Sequence, residues 1–140
     1  MIVCIDTNVF LQASKAGHPL DVIFAAWFQR KFRWAISHDI LTEYEEMLTQ
    51  RGGTQRWTQF SRVLDLADAR GDLLLKVQPS FQFHVIATDP DDNKFTDCAI
   101  TADADYIITS DHDFDALANA GYKPQPITPE DFIRRHLSGK

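Results

Sequence analysis

The sequence predicts an α/β fold, with a parallel sheet covered by helices on both faces. Three observations carry this reading. Short apolar runs at Ile2–Ile5, Phe32–Ile36, Leu73–Val77 and Tyr106–Thr109 have the length and residue types of buried strands. Longer segments with apolar residues at helical spacing lie between them. The 140 residues make one domain, 1–140, able to bury roughly 68% of its unfolded surface without metal or disulfide staples.

Each element has its own signal. Ile2–Ile5 is a mostly β-branched strand that ends at Asp6-Thr7-Asn8, polar residues suited to a strand–helix turn. His18-Pro19-Leu20-Asp21 opens a helix to about Phe32, striped by Leu20, Ile23, Phe24, Trp27 and Phe28. After the Phe32–Ile36 strand, Ser37 reads as an N-cap, and Asp39 favours the helix dipole. Ile40, Leu41, Tyr44, Met47 and Leu48 form one face of that helix, and Gly52-Gly53 ends it. Thr54 to Ala69 is a further helix, with Trp57, Phe60, Val63, Leu64 and Ala67 as its stripe. Asp89-Pro90-Asp91-Asp92-Asn93 is cap-like and opens a helix whose face carries Phe95, Cys98, Ala99 and Ala102. The Tyr106 strand ends at Ser110-Asp111, a short helix Asp115–Ala120 stops at Gly121, and Thr128-Pro129-Glu130-Asp131 starts a final helix with Phe132, Ile133 and Leu137 inward.

Composition narrows the function classes. The longest wholly apolar stretch is the seven residues Val22–Phe28, whereas a membrane span needs about 18, so no membrane segment is expected. Met1–Asp6 has no basic leader segment, so a cytoplasmic location is expected, with Cys4 and Cys98 as buried reduced thiols. The net charge is −6, and all of it falls in the second half. Nine aspartates meet one lysine, Lys94, within Asp89–Asp115. Such acidity argues against a broad nucleic-acid surface, though a local basic rim is compatible with it.

The placement of the acids suggests chemistry. Two strands end in aspartates, Asp6 and Asp111, and sites on open parallel sheets form beyond the carboxyl ends of strands. If those strands are neighbours, the two carboxylates converge. Glu43 follows the second strand one helical turn in, although by spacing Glu45 borders the apolar face equally. Asp92 heads the helix before the Tyr106 strand, with Asp97 further along. Three to five carboxylates in one pocket need a counter-charge. Oxygen ligands without His or Cys point to Mg²⁺ or Mn²⁺ rather than Zn²⁺. Such ions hold phosphates and activate water, which is the apparatus of phosphodiester hydrolysis.

Four segments in order carry a resemblance: Cys4-Ile5-Asp6-Thr7-Asn8-Val9-Phe10, then Ser37–Tyr44 with Glu43, then Asp89-Pro90-Asp91-Asp92-Asn93-Lys94-Phe95-Thr96-Asp97-Cys98-Ala99, then Ala104-Asp105-Tyr106-Ile107-Ile108-Thr109-Ser110-Asp111. Together they resemble the PIN-domain family, in its branch of bacterial and archaeal toxin–antitoxin toxins. The resemblance spans residues 1 to about 135. It implies a three-layer α/β/α sandwich with a central parallel sheet, and a ribonuclease dependent on Mg²⁺ or Mn²⁺. It implies Asp6, Glu43, Asp92 and Asp111 as the catalytic metal-binding acids, with Asp97 as an additional ligand, and so selects Glu43 over Glu45. Asp92 and Asp97 stand about 140° apart on an ideal helix, so both reach one ion only through an irregular helix start or a water. Thr7 and Asn8 would orient Asp6. From the residues alone, Asp113 and Asp115 read as caps of the short helix, with Asp113 also a candidate to face the site.

The resemblance further implies products with 5′-phosphate and 3′-hydroxyl ends, an RNA substrate, a small antitoxin covering the acids and a possible homodimer. The candidates for RNA contact are Arg30, Lys31 and Arg33 before the second strand, and Arg51, Arg56 and Arg62 around the Gly52-Gly53 loop. The rival readings are an inactive scaffold of the same fold binding RNA or a partner, a phosphotransfer enzyme with Asp6 as nucleophile and only Lys123 or Lys94 to meet phosphate, and an acidic binding module with Asp89–Asp115 as surface.

Overall fold

The computed structural model describes residues 1–79, 93–118 and 120–137. Five parallel strands form its sheet: β1 (Ile2–Ile5), β2 (Arg33–Ile36), β3 (Leu74–Lys76), β4 (Tyr106–Ile108) and β5 (Gln125–Ile127), in the spatial order β3-β2-β1-β4-β5. Helices α1 (Thr7–Ala13), α2 (Val22–Phe28), α3 (His38–Arg70), α4 (Asn93–Thr101), α5 (Asp115–Ala118) and α6 (Pro129–Phe132) complete an α/β/α sandwich. The chain steps outward from β1 through β2 to β3, then returns to the other side of β1 for β4 and β5. The order therefore reverses between β1 and β4, whose register pairs Val3 with Tyr106, Cys4 with Ile107 and Ile5 with Ile108. A crevice at such a reversal is where an open parallel sheet presents ligands.

Local chemistry explains most boundaries. Ser37 caps α3, its hydroxyl accepting from the Ile40 amide at 3.3 Å. The α3 ladder is continuous to Arg70 by hydrogen bonding, yet Gly53 sits at φ 84°, ψ 165°, so two helical segments meet at a break where the sequence expects one. Gly71 closes the second segment in the left-handed region, at φ 82°.

α2 is shorter than the sequence expects, stopping at Phe28 rather than near Phe32. Arg30 turns left-handed (φ 62°), with Arg30 N donating to Trp27 O at 2.9 Å and Lys31 N to Ala26 O at 3.1 Å. That pair of bonds is the Schellman closure, here without glycine. Asp103, at φ 56°, closes α4 by the same device. β5 was not expected: Pro126 suppresses the strand signal, but an edge strand tolerates a residue without an N–H. α6 begins as expected, with Thr128 Oγ1 accepting from the Asp131 amide at 3.1 Å, but the chain widens into a π-turn over Ile133–Leu137. α5 is described over Asp115–Ala118, and the expected last residue Ala120 already lies in a turn, its amide donating to Leu117 O at 3.1 Å.

An aromatic cluster locks α1, α2, α3 and β2 together. Phe10 stacks on Tyr44 with centroids 4.1 Å apart and meets Phe60 edge-on at 4.9 Å. Trp34 meets Trp27 at 5.1 Å. Each such pair adds about 0.5–1.5 kcal/mol beyond its buried area. The Tyr44 hydroxyl donates to the Ile5 carbonyl, which fixes the start of α3 against the end of β1, one residue before Asp6.

Candidate active site

Asp6 leaves β1 and caps α1. Its Oδ1 accepts from the Thr7 amide at 2.7 Å, and its Oδ2 accepts from the Thr109 hydroxyl at 2.8 Å. Thr109 follows β4, and its hydroxyl oxygen also accepts from the Asp111 amide at 3.0 Å. Thr109 therefore joins the two strand-end aspartates, which the β1–β4 pairing brings together as the sequence anticipates. Asp111 Oδ1 in turn accepts from the Asp113 amide at 2.9 Å and caps the short turn His112–Phe114.

Glu43 stands beside them, half-buried on α3, while Glu45 is exposed. One oxygen of Glu43 accepts from the Thr7 hydroxyl and the other from Lys94 Nζ at 2.5 Å. Thr7 thus touches two acids, Asp6 through its amide and Glu43 through its hydroxyl.

The electrostatics centre on Asp6, which is only 5% exposed. Burial pushes its carboxyl from the ordinary 3.8 up to about 6. The Thr109 hydroxyl and the Thr7 amide pull it back, and the negative charges of Asp111 and Glu43 push it up again. Among the described residues neither Asp6 nor Asp111 has an ion-pair partner. Among the described residues the one ion pair at this centre is therefore Glu43 with Lys94.

The other expected site residues are distributed as follows. Asp97 is buried on α4, at 8% exposure. Asp92 lies outside the described residues. Asn8 is exposed on α1, and among the described residues the hydrogen bonds to the Asp6 carboxylate come from the Thr7 amide and the Thr109 hydroxyl. Asp113 is half-buried and reaches Asp111 through its amide.

Three of the basic candidates, Arg30, Arg33 and Arg56, are engaged elsewhere in the fold. Arg30, Lys31 and Arg33 precede or open β2, where Arg33 pairs with Ile2, at the amino ends of the strands. Arg30 is committed to Asp72, and Arg33 donates to the Leu74 carbonyl at 3.3 Å. Arg56 packs across Gly52 and reaches Ser14 Oγ at 3.3 Å, at the far end of α1 from Asp6. Arg51 and Arg62 are exposed further along α3. The sequence reading missed Thr109, and weighed Lys94 only as a phosphate counter-charge for the phosphotransfer rival. The Thr-x-Asp spacing was a signal for the first. Nothing local marks the second, because its partner is 51 positions away.

Among the described residues no group of three or more Asp, Glu, His or Cys side chains is arranged to hold a metal ion. The donors that do converge on Asp6 and Asp111 are carboxylate and hydroxyl oxygens, the ligand chemistry of hard divalent cations. Neither a curated protein nor a solved structure matches the chain. Residues 2–113 match the family described as PIN domain, a span that runs from the start of β1 through Asp6 and Glu43 to the Asp111 turn. With that match over most of its length and a five-stranded parallel sheet carrying acids at its reversal point, the chain belongs to the PIN-domain family, a nuclease-type fold.

Proposed function

We propose that this chain is an endoribonuclease that uses Mg²⁺ or Mn²⁺ to hydrolyse RNA phosphodiester bonds. The observation that carries the reading is Asp6: a carboxylate buried at the sheet's reversal point, raised to about 6, next to Asp111 and without a cation of its own among the described residues. PIN domains are generally nucleases and typically use divalent metals. The residues present suit such an ion by donor type. Asp6 and Asp111 would hold it, together with Glu43, Asp92 and Asp97 as the family resemblance implies.

A divalent cation there supplies charge neutralisation at phosphate and a water of lowered pKa. The chain's own groups do the rest. The Thr7 amide and the Thr109 hydroxyl fix both oxygens of Asp6, so its geometry is set before substrate arrives. Thr109 and the Asp113 amide do the same for Asp111. Tyr44 holds the end of β1 against α3 and so keeps Asp6 and Glu43 on one side of the crevice.

The same reading makes the chain a cytoplasmic toxin component, possible as a homodimer, with a small antitoxin covering the acids. That part rests on the resemblance alone. Among the described residues no helix is long and apolar enough to cross a membrane.

The test is cleavage of single-stranded RNA by the purified protein in Mg²⁺ or Mn²⁺. The expected result is cleavage that EDTA abolishes and that Asp111→Asn abolishes without lowering the melting temperature. Cleavage that survives either change contradicts the proposal.

A further inference from the structure

Lys94 is the one lysine of the acidic stretch Asp89–Asp115, and the fold sets it against the acidic centre. It is the second residue of α4, whose apolar side chains Phe95, Cys98 and Ala99 are buried, so packing fixes where its ammonium can reach. Its Nζ donates to Glu43 Oε1 at 2.5 Å, with the two side chains 23% and 25% exposed. Every other ion pair among the described residues is more exposed, beginning with Arg30–Asp72 at 46% and 49%.

A partly buried ion pair is a poor stabilising device, because desolvation offsets most of the attraction. Its place in the fold points to another use. The second Glu43 oxygen accepts from the Thr7 hydroxyl, and the Thr7 amide holds Asp6. The ammonium therefore rests on a carboxylate tied to the strand-end aspartates. Glu43 and Asp111 both push the Asp6 carboxyl up, so the three charges feel one another. Carboxylates that repel need a positive charge among them, and in the metal-free chain Lys94 brings one. A divalent cation held by the same acids faces that ammonium in two ways. The two positive charges repel, and both draw on the oxygens of Glu43.

We propose that Lys94 is a built-in counter-cation of the acidic centre, which holds Glu43 while no metal is bound and gives way to a divalent cation. The contact weakens cation affinity, and so sets the metal concentration at which the site fills. The proposal rests on the cation-site reading above, with Glu43 among the ligands, and concerns how that site is regulated.

The experiment titrates Mn²⁺ by calorimetry, without RNA, into wild type, Lys94→Met, Lys94→Arg and Lys123→Met. Lys94→Met keeps an unbranched stem and removes the charge. Its Kd for Mn²⁺ falls about tenfold, the relief of repulsion between a single and a double charge at a partly exposed site. Lys94→Arg keeps the wild-type Kd, because the charge remains. Lys123→Met removes an equal charge beside Asp103 and Asp105, at the amino ends of the strands, and leaves Kd unchanged. In wild type, lysine acetylation read by mass spectrometry follows the displacement. Lys94 is labelled faster in Mg²⁺ than in EDTA, whereas exposed Lys15 is labelled equally in both.

A Kd for Lys94→Met equal to or above that of wild type would overturn the proposal, and make the pair a clamp that holds Glu43 in place. Equal tightening in Lys123→Met would overturn it as a general effect of net charge. Labelling of Lys94 that ignores Mg²⁺ would overturn the displacement. If neither wild type nor Lys94→Met binds Mn²⁺, the cation-site reading itself fails, and the proposal with it. Should Lys94→Met not fold, Lys94→Gln removes the same charge, and the labelling needs no variant.

Discussion

At the amino ends of the strands, each acid meets a base. Asp72 takes Arg30, and Lys123 lies 3.3 Å from Asp103 and 3.9 Å from Asp105. At the carboxyl ends, Asp6 and Asp111 meet hydroxyls and amides instead. The consequence is opposite in sign. The Arg30 guanidinium, by its hydrogen bond, holds the Asp72 carboxyl below its ordinary value, whereas burial pushes Asp6 up to about 6. Both ends are acidic in sequence, and among the described residues Asp6 and Asp111, unlike Asp72, Asp103 and Asp105, have no ion pair. Local structure accounts for the acids at the amino end: Asp103 closes α4 in the left-handed region, and Asp105 Oδ2 accepts from the Ile2 amide at 2.9 Å. Asp6 has a structural duty too, capping α1 through the Thr7 amide, but a cap does not require burial.

The comparison can be broken from its strongest side first. Asp111→Asn removes an expected cation ligand, so RNA cleavage should fall by at least about a thousandfold, several kcal/mol of transition-state stabilisation. A gel assay under single-turnover conditions reads this directly, and a loss below tenfold would place the chemistry elsewhere.

The next effect is on stability. The folded Asp6 carboxyl titrates near 6 instead of 3.8, so the native state holds a proton there that the unfolded chain has already released. Stability from this group is therefore complete below about pH 3.8 and is lost as pH rises through about 6. The loss amounts to about 3 kcal/mol at most. Asp6→Asn escapes it, so in EDTA at pH 8 the variant should melt higher than wild type, with the gap closing as pH falls below 6. Equal pH profiles in chemical denaturation would show that Asp6 is not under charge strain.

Tyr44→Phe removes a buried donor from the Ile5 carbonyl and should cost about 1–3 kcal/mol by urea denaturation. The smallest effect belongs to the other end of the sheet. Asp72→Asn breaks a surface pair, and calorimetry should find no resolvable change in melting, with RNA cleavage equal to wild type.

Much of this contrast was legible in the sequence. The strand-end placement of Asp6 and Asp111 needs only the apolar runs before them, and their convergence needs only that β1 and β4 be neighbours. Caps at Ser37 and Thr128 and the break at Gly53 follow from local chemistry. What stayed hidden depends on distant partners. β5 is stabilised by pairing with β4 rather than by its own residues, two of which are Gln125 and Pro126. Lys94 reads as one lysine in an acidic run until α4 packs it beside Glu43. Arg30 and Arg33 read as a basic cluster, yet one is a helix terminator paired with Asp72 and the other bonds a neighbouring strand's carbonyl.

The central claim is that the carboxyl-end acids form a cation site. A melting scan of the purified protein at pH 8 in EDTA, in Mg²⁺ and in Mn²⁺, repeated for Asp6→Asn, tests it most directly. A site half-saturated well below the metal concentration used stabilises the native state by about 2–4 kcal/mol, a shift of several degrees. The account predicts that shift in wild type, and its absence in an Asp6→Asn protein that already melts higher in EDTA. A wild type indifferent to both metals, or an equal shift in the two proteins, would contradict it.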